Sequence, residues 1–146
     1  MIRLFIDANI LLDAVLQRPH DPQDALNLLA LGEQRKVILV TTSNSLGVVL
    51  YTLQRSDKAK KGALLQAARN TLRDLLACVE VAPMEAAHLH QSAASSFGDI
   101  EDGAQYFAAS ASGALDGVVS RDPDFDGRIS GKRYSAAQAL RLIAAK

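Results

Sequence analysis

Three short segments of this sequence carry carboxylates that could act as a group once folded. They are Asp7-Ala8-Asn9, Asp99-Ile100-Glu101-Asp102 and Asp122-Pro123-Asp124. Carboxylates gathered in one place repel one another and cost free energy unless a cation screens them. Oxygen ligands suit hard cations that keep part of their water shell, Mg²⁺ or Mn²⁺. Such a cation lowers the pKa of water and offsets charge building on a phosphate. The acids therefore point to metal-assisted phosphoryl chemistry. Each also has a plainer reading. Asp7 and Asp99 are good helix N-caps. Asp102 follows Asp99 by three residues on the same helical face, where it can answer the helix dipole. Asp122 and Asp124 lie in Asp-Pro-Asp-Phe-Asp-Gly, where aspartate serves turns. Glu101 and Asp126 read as solvated, and Asp13 as an exposed helix residue.

For these segments to meet, the elements before them must bring them to one edge. Residues 2–6 read as a buried strand ending at Asp7, followed by a helix from Ile10 to Leu16. Asp21-Pro22 is a helix opening, with Asp21 as N-cap, and that helix ends near Gly32. Val37 to Thr41 is a second strand, and Ser43 or Asn44 caps a third helix running to about Arg55. Residues 58–77 form a long helix with Leu64, Ala68, Leu72 and Leu75 on one face. Val79 to Val81 is a strand, and Pro83 opens a helix to about Ser95. Asp99 caps a helix from Ile100 to about Ala111, Leu115 to Ser120 is a strand, and after a turn-rich segment 136–145 is a last helix. Strands alternating with helices predict an α/β domain with a central parallel sheet covered on both faces. Ligands of such sheets bind at the carboxyl ends of the strands. Asp7 and Asp122 each follow an apolar strand and would reach the same edge.

Composition narrows the classes. The 146 residues fit a single domain over 1–146, and 49% hydrophobic content supplies its core. Acids and bases balance at 16 each, so no global field draws in nucleic acid and any contact must be local. One local stretch is basic: Arg55, Lys58, Lys60, Lys61, Arg69 and Arg73, with Arg69 and Arg73 on one helical face. It reads as a solvated face or as a wall against RNA phosphates. The lone Cys78 cannot form an internal disulfide or a cysteine-based zinc site and reads as a small core residue. No stretch approaches the roughly 18 apolar residues of a membrane span, and the start reads as no signal peptide. The three histidines form no ligand pair at helical spacing, and no glycine-rich phosphate loop or nucleophile elbow is present.

Leu4-Phe5-Ile6-Asp7-Ala8-Asn9-Ile10-Leu11-Leu12-Asp13 resembles the opening motif of PIN domains. The pairing of Glu101-Asp102-Gly103-Ala104-Gln105-Tyr106-Phe107-Ala108-Ala109-Ser110 with Val118-Val119-Ser120-Arg121-Asp122-Pro123-Asp124-Phe125 resembles that family too, in order and spacing over nearly the whole chain. The resemblance implies a PIN-like three-layer α/β/α domain and a Mg²⁺- or Mn²⁺-dependent ribonuclease. It implies Asp7, Asp102 and Asp122 as catalytic metal ligands, with Asn9 and Ser120 as supporting neighbours and Asp99 and Asp124 as further acids. It also implies an RNA substrate, a small antitoxin as partner in a VapBC-type toxin–antitoxin pair, and a homodimer. The shared basic face would put Arg69 and Arg73 near the RNA path, and the single cysteine with no signal or membrane span reads as a cytoplasmic setting without a membrane. One feature departs from the family. The helix Ser43–Leu53 has no acid where most PIN domains place a glutamate. The loss weakens attraction for metal and argues against two-metal catalysis. It leaves open a non-catalytic PIN module that binds RNA or a protein.

Overall fold

Leu4, Phe5 and Ile6 are apolar on both sides of the chain, so their strand must be covered on both faces. In the computed structural model, which describes residues 1–56 and 61–146, that strand is β1 (Arg3–Ile6), the centre of a five-stranded parallel sheet ordered β3-β2-β1-β4-β5. The other strands are β2 (Ile38–Thr42), β3 (Glu80–Ala82), β4 (Gly117–Val119) and β5 (Lys132–Tyr134). Phe5 lies between Val40 and Val118 in register. The period of two splits the core in half. Leu4, Ile6, Leu39 and Val119 face α1 (Ala8–Leu16) and α2 (Pro22–Glu33), joined there by residues of α3 (Ser43–Arg55), α4 (Lys61–Cys78) and α7 (Ala136–Ala144). Phe5, Val40 and Val118 face α6 (Ile100–Ala111), with α5 (Ala86–Ala93) packed on it. This is the three-layer α/β/α arrangement.

The topology places the site. From β1 the chain moves outward to β2 and β3, then returns across the sheet through α5 and α6 to β4 on the other side of β1. Strand order therefore reverses between β1 and β4, and in open parallel sheets that switch point leaves a crevice at the carboxyl ends. Asp7 and Ser120 stand there, one residue beyond each strand. At the opposite end, Arg3 acts as a clasp. Its guanidinium bonds Ser112 (2.8 Å to Oγ) and pairs with Glu80 at 2.8 Å, while its backbone N–H donates to the Asp116 carboxylate at 2.8 Å.

All four phenylalanines of the chain gather against the second face of the sheet. Phe125 meets Phe5 edge-on at 6.2 Å and Phe97 at 6.0 Å, and Phe97 meets Phe107 at 5.9 Å. Burying each ring contributes about 1.5–3 kcal/mol. Phe97 lies just before the loop to α6 and Phe125 just after Asp124, so the cluster fastens both acid-bearing loops to β1. Gly103 lets α5 and α6 close up: a Cβ there would meet the buried Ser92 Oγ at 2.3 Å and the Phe97 ring at 3.0 Å.

Several elements differ from the sequence reading, each for a local reason. Thr42, not Ser43 or Asn44, caps α3, its hydroxyl accepting from the Ser45 N–H at 3.0 Å. Asp21 precedes α2 but makes no side-chain cap, and α2 passes Gly32, whose bare Cα admits the Cys78 carbonyl. The helix expected from Pro83 starts at Ala86, set by a reciprocal capping box of Glu85 and His88. β5 forms where the sequence predicts a turn-rich segment, because a three-residue Lys-Arg-Tyr edge strand carries no apolar alternation. Of the long helix expected from 58, residues 57–60 lie outside the described residues, Lys58 and Lys60 among them.

The largest correction is Asp13. It is fully buried, not exposed, and its carboxylate accepts from Arg18 Nε at 3.0 Å and from Arg121 at 3.0 and 3.1 Å. It ties α1 to the chain that follows β4. Replacing it with Ala should cost about 3 kcal/mol in urea unfolding, the low end for breaking a buried ion pair because the guanidiniums are a third exposed. A loss below 0.5 kcal/mol, the scale of an exposed pair, would contradict this account.

Candidate active site

Asp7 is the hub of the crevice. As N-cap of α1 it accepts from the Ala8 N–H at 2.7 Å, and its other oxygen accepts from Ser120 Oγ at 2.7 Å and Asn9 Nδ2 at 3.2 Å. The helix-cap reading of Asp7 is thus met, by a side chain that also stands at the crevice. It is only 7% exposed. Burial raises its pKa, the Ser120 and Ala8 bonds pull it back, and the charges of Asp122 and Glu101 push it up again. Ser120, fully buried, also accepts from the Asp122 N–H at 3.0 Å, so one hydroxyl links the ends of β1 and β4.

Asp102 enters from the first turn of α6. Burial is the largest influence on it, followed by a hydrogen bond with Asp122 and by the charges of Asp7, Asp99 and Asp122; together they lift its pKa to about 8. With both carboxylates ionised, Asp102 Oδ2 is buried without a donor. The contact with Asp122 exists only if the two share a proton, as paired carboxyls do. Asn9 Oδ1 is likewise buried and has no donor.

Asp99 and Asp124 are committed elsewhere. Asp99 caps α6, accepting from the N–H groups of Glu101 (2.9 Å) and Asp102 (3.2 Å). Asp124 accepts from the N–H groups of Gly98 (3.2 Å) and Asp99 (2.9 Å) and pairs with Arg128 at 3.4 Å. It fastens the loop before α6 to the turn after β4.

Glu101, read as solvated, is exposed, but it turns toward α3: it accepts from Asn44 Nδ2 at 3.0 Å and its charge bears on Asp7. It stands four residues before Gln105, a helical spacing that signals a shared face. Gln105 is buried and accepts from the hydroxyls of Thr42 (3.0 Å) and Ser45. The acid-free start of α3 is therefore met by a neutral network and by a carboxylate reaching over from α6. Asp126, also read as solvated, pairs at 2.8 Å with Arg133, which holds its pKa down. Arg69 and Arg73 are exposed on α4, which packs on α2 and α3 rather than on the acid-bearing loops.

The donor set is all oxygen and fits a hard divalent cation: three acids at one edge, with the buried Asn9 Oδ1 that no N–H or O–H serves. Among the described residues no group of three or more acids, histidines or cysteines stands close enough together to hold a metal ion.

A pH dependence follows from Asp102. Its proton leaves near the ordinary value of 3.8 in the unfolded chain and at about 8 in the folded one. Between those values the folded state binds more protons, so stability from this group falls as pH rises. In EDTA, the urea midpoint should drop from about pH 5 to about pH 9, and Asp102→Asn should flatten that drop. An equal slope in the variant would place the proton elsewhere.

The PIN domain family model matches residues 3–124. No curated protein matches the chain. Among solved structures it is similar in fold to VapBC2 from Rickettsia felis, solved bound to a DNA fragment from its promoter. The TM-score is 0.64 at 16% identity, covering 92% of this chain and 98% of that one. The family match runs from β1 past β4 and takes in every acid of the crevice, and the chain belongs to the PIN domain family.

Proposed function

We propose that the chain, acting as a single domain, is a metal-dependent ribonuclease that hydrolyses RNA phosphodiester bonds, with Asp7, Asp102 and Asp122 holding the cation. The observation that carries this reading is the approach of Asp102 to Asp7 and Asp122 at one edge of the sheet, close enough that burial, a hydrogen bond with Asp122 and the neighbouring charges lift the Asp102 pKa to about 8. PIN domains are, as a family, nucleases.

Mg²⁺ or Mn²⁺ bound there would supply a more acidic water and Lewis acidity toward the phosphate. The remaining work belongs to the chain. Ser120 and Asn9 aim the Asp7 carboxylate from the side. Asp99 fixes the first turn of α6, which sets where Asp102 stands. The proton shared by Asp102 and Asp122 competes with the cation, so affinity should rise with pH.

The fold likeness to VapBC2 favours the toxin of a toxin–antitoxin pair with a small antitoxin as partner; we further propose a cytoplasmic homodimer. Arg69 and Arg73 would extend the RNA path along α4. A second reading, a PIN module that binds RNA or a protein without cleaving, is favoured by the acid-free α3.

With Mn²⁺ or Mg²⁺ the protein should cleave single-stranded RNA, and EDTA should stop it. Asp7→Asn and Asp102→Asn should fall to background in a gel assay. Ser120→Ala, which keeps the acids, should lose about 10–100-fold. Asp99→Asn should keep a measurable rate, since Asn caps about as well as Asp. RNA binding without cleavage under any metal would establish the second reading. Changing Arg69 and Arg73 together to Ala should weaken RNA binding and flatten its salt dependence; unchanged binding would leave α4 a solvated face.

A further inference from the structure

We infer that Arg18 and Arg121 form a clamp for a backbone phosphate of the bound strand, preset by Asp13 on the flank of the acid cluster. This rests on the reading of the crevice as one that handles RNA. The argument begins with charge. Around this edge, the described arginines otherwise pair one to one with acids, Arg128 with Asp124 and Arg133 with Asp126. Asp13 alone is shared by two. One guanidinium suffices to neutralise it, so the trio carries a surplus positive charge. Both arginines serve the buried Asp13 carboxylate, and the net charge of one remains beyond what neutralising it requires.

The geometry gives that charge a direction. The Asp13 side chain is 1% exposed, while those of Arg18 and Arg121 are 34% and 38% exposed. The carboxylate is sealed beneath, and the guanidiniums reach solvent. Arg18 commits Nε to Asp13 and Nη2 to the Asn9 carbonyl at 3.1 Å. Arg121 commits Nε and Nη2 to Asp13. Nη1 of each makes no hydrogen bond among the described residues, and each still offers N–H groups. Guanidinium is the cation suited to bidentate phosphate contact, and holding it in place beforehand reduces the ordering cost of binding.

Position supplies the purpose. Arg121 sits between Ser120 and Asp122, and Arg18 is bonded to Asn9, so the surplus charge adjoins the ends of both β4 and β1. A polyanionic strand must approach an acidic crevice on a chain with no net charge. A cation fixed beside the acids would hold a neighbouring phosphate while the scissile one faces them.

The test is anisotropy of a fluorescein-labelled single-stranded oligoribonucleotide in EDTA, titrated across NaCl concentrations. Arg18→Gln is the first variant, because Arg121 keeps both its bonds to Asp13. It should bind several-fold more weakly at low salt, with the slope of log Kd against log salt reduced by about 0.7, the value for one phosphate contact on a single strand. Arg18→Lys should keep the slope. Arg121→Gln should repeat the loss; if it does not fold, Arg18→Gln decides. A slope unchanged in a folded Arg18→Gln protein overturns the clamp, as does a wild-type protein that binds no RNA at low salt. Cleavage is read separately with Mn²⁺. Arginine-dependent binding without cleavage keeps the clamp and removes the nuclease reading, whereas cleavage with unchanged slopes does the reverse.

Discussion

A buried carboxylate beside other carboxylates must be given a donor, a proton or a cation, and this requirement organises one whole edge of the sheet. Asp7 is given donors: the α1 backbone, Ser120 and Asn9. Asp99 and Asp124 are given backbone N–H groups and lock one loop to another. Asp13 is given two arginines. Asp102 receives none of these and is left with a proton shared with Asp122. The acids thus divide into those whose charge is spent on holding the crevice, Asp122 in part among them since it accepts from the Asp124 N–H at 2.9 Å, and Asp102, which no N–H serves.

The apolar side of the same arrangement is the phenylalanine cluster. Phe97 and Phe125 lie close in sequence to Asp99 and Asp124; Phe125 rests on Phe5 of the strand that ends in Asp7, and Phe97 rests on Phe125. Three segments far apart in the chain are thereby referenced to one rigid body. Dispersion and area burial set the distance between loops, and hydrogen bonds set the aim of the side chains. Gly103 belongs to this system, because the closeness of α5 and α6 determines where the first turn of α6 begins.

Much of this was legible in the sequence because it rests on strong local signals. The apolar run before Asp7, the alternation of strands and helices and the Asp99 cap all have period or spacing that physics reads directly. What escaped depended on partners remote in sequence. Asp13 follows two leucines on α1, and nothing nearby announces that Arg121, 108 residues on, will bury it. Glu101 acquires its place through Asn44, 57 residues back. β5 has a polar composition and exists because β4 offers it a free edge. Gly117 allows that pairing: a Cβ there would meet the Lys132 carbonyl at 2.6 Å and the Tyr134 ring at 2.5 Å.

The Arg3 clasp has a bearing on how the crevice copes with its own repulsion. β1 is paired on both sides, covered on both faces, held at one end by Arg3 and at the other by the Asp7–Ser120 bond. Strands so enclosed exchange their amide protons only through global opening. The backbone beneath Asp7 is therefore held from drifting outward to let the acids part, and the electrostatic load at its tip is met by protonation of Asp102 rather than by breathing of the chain.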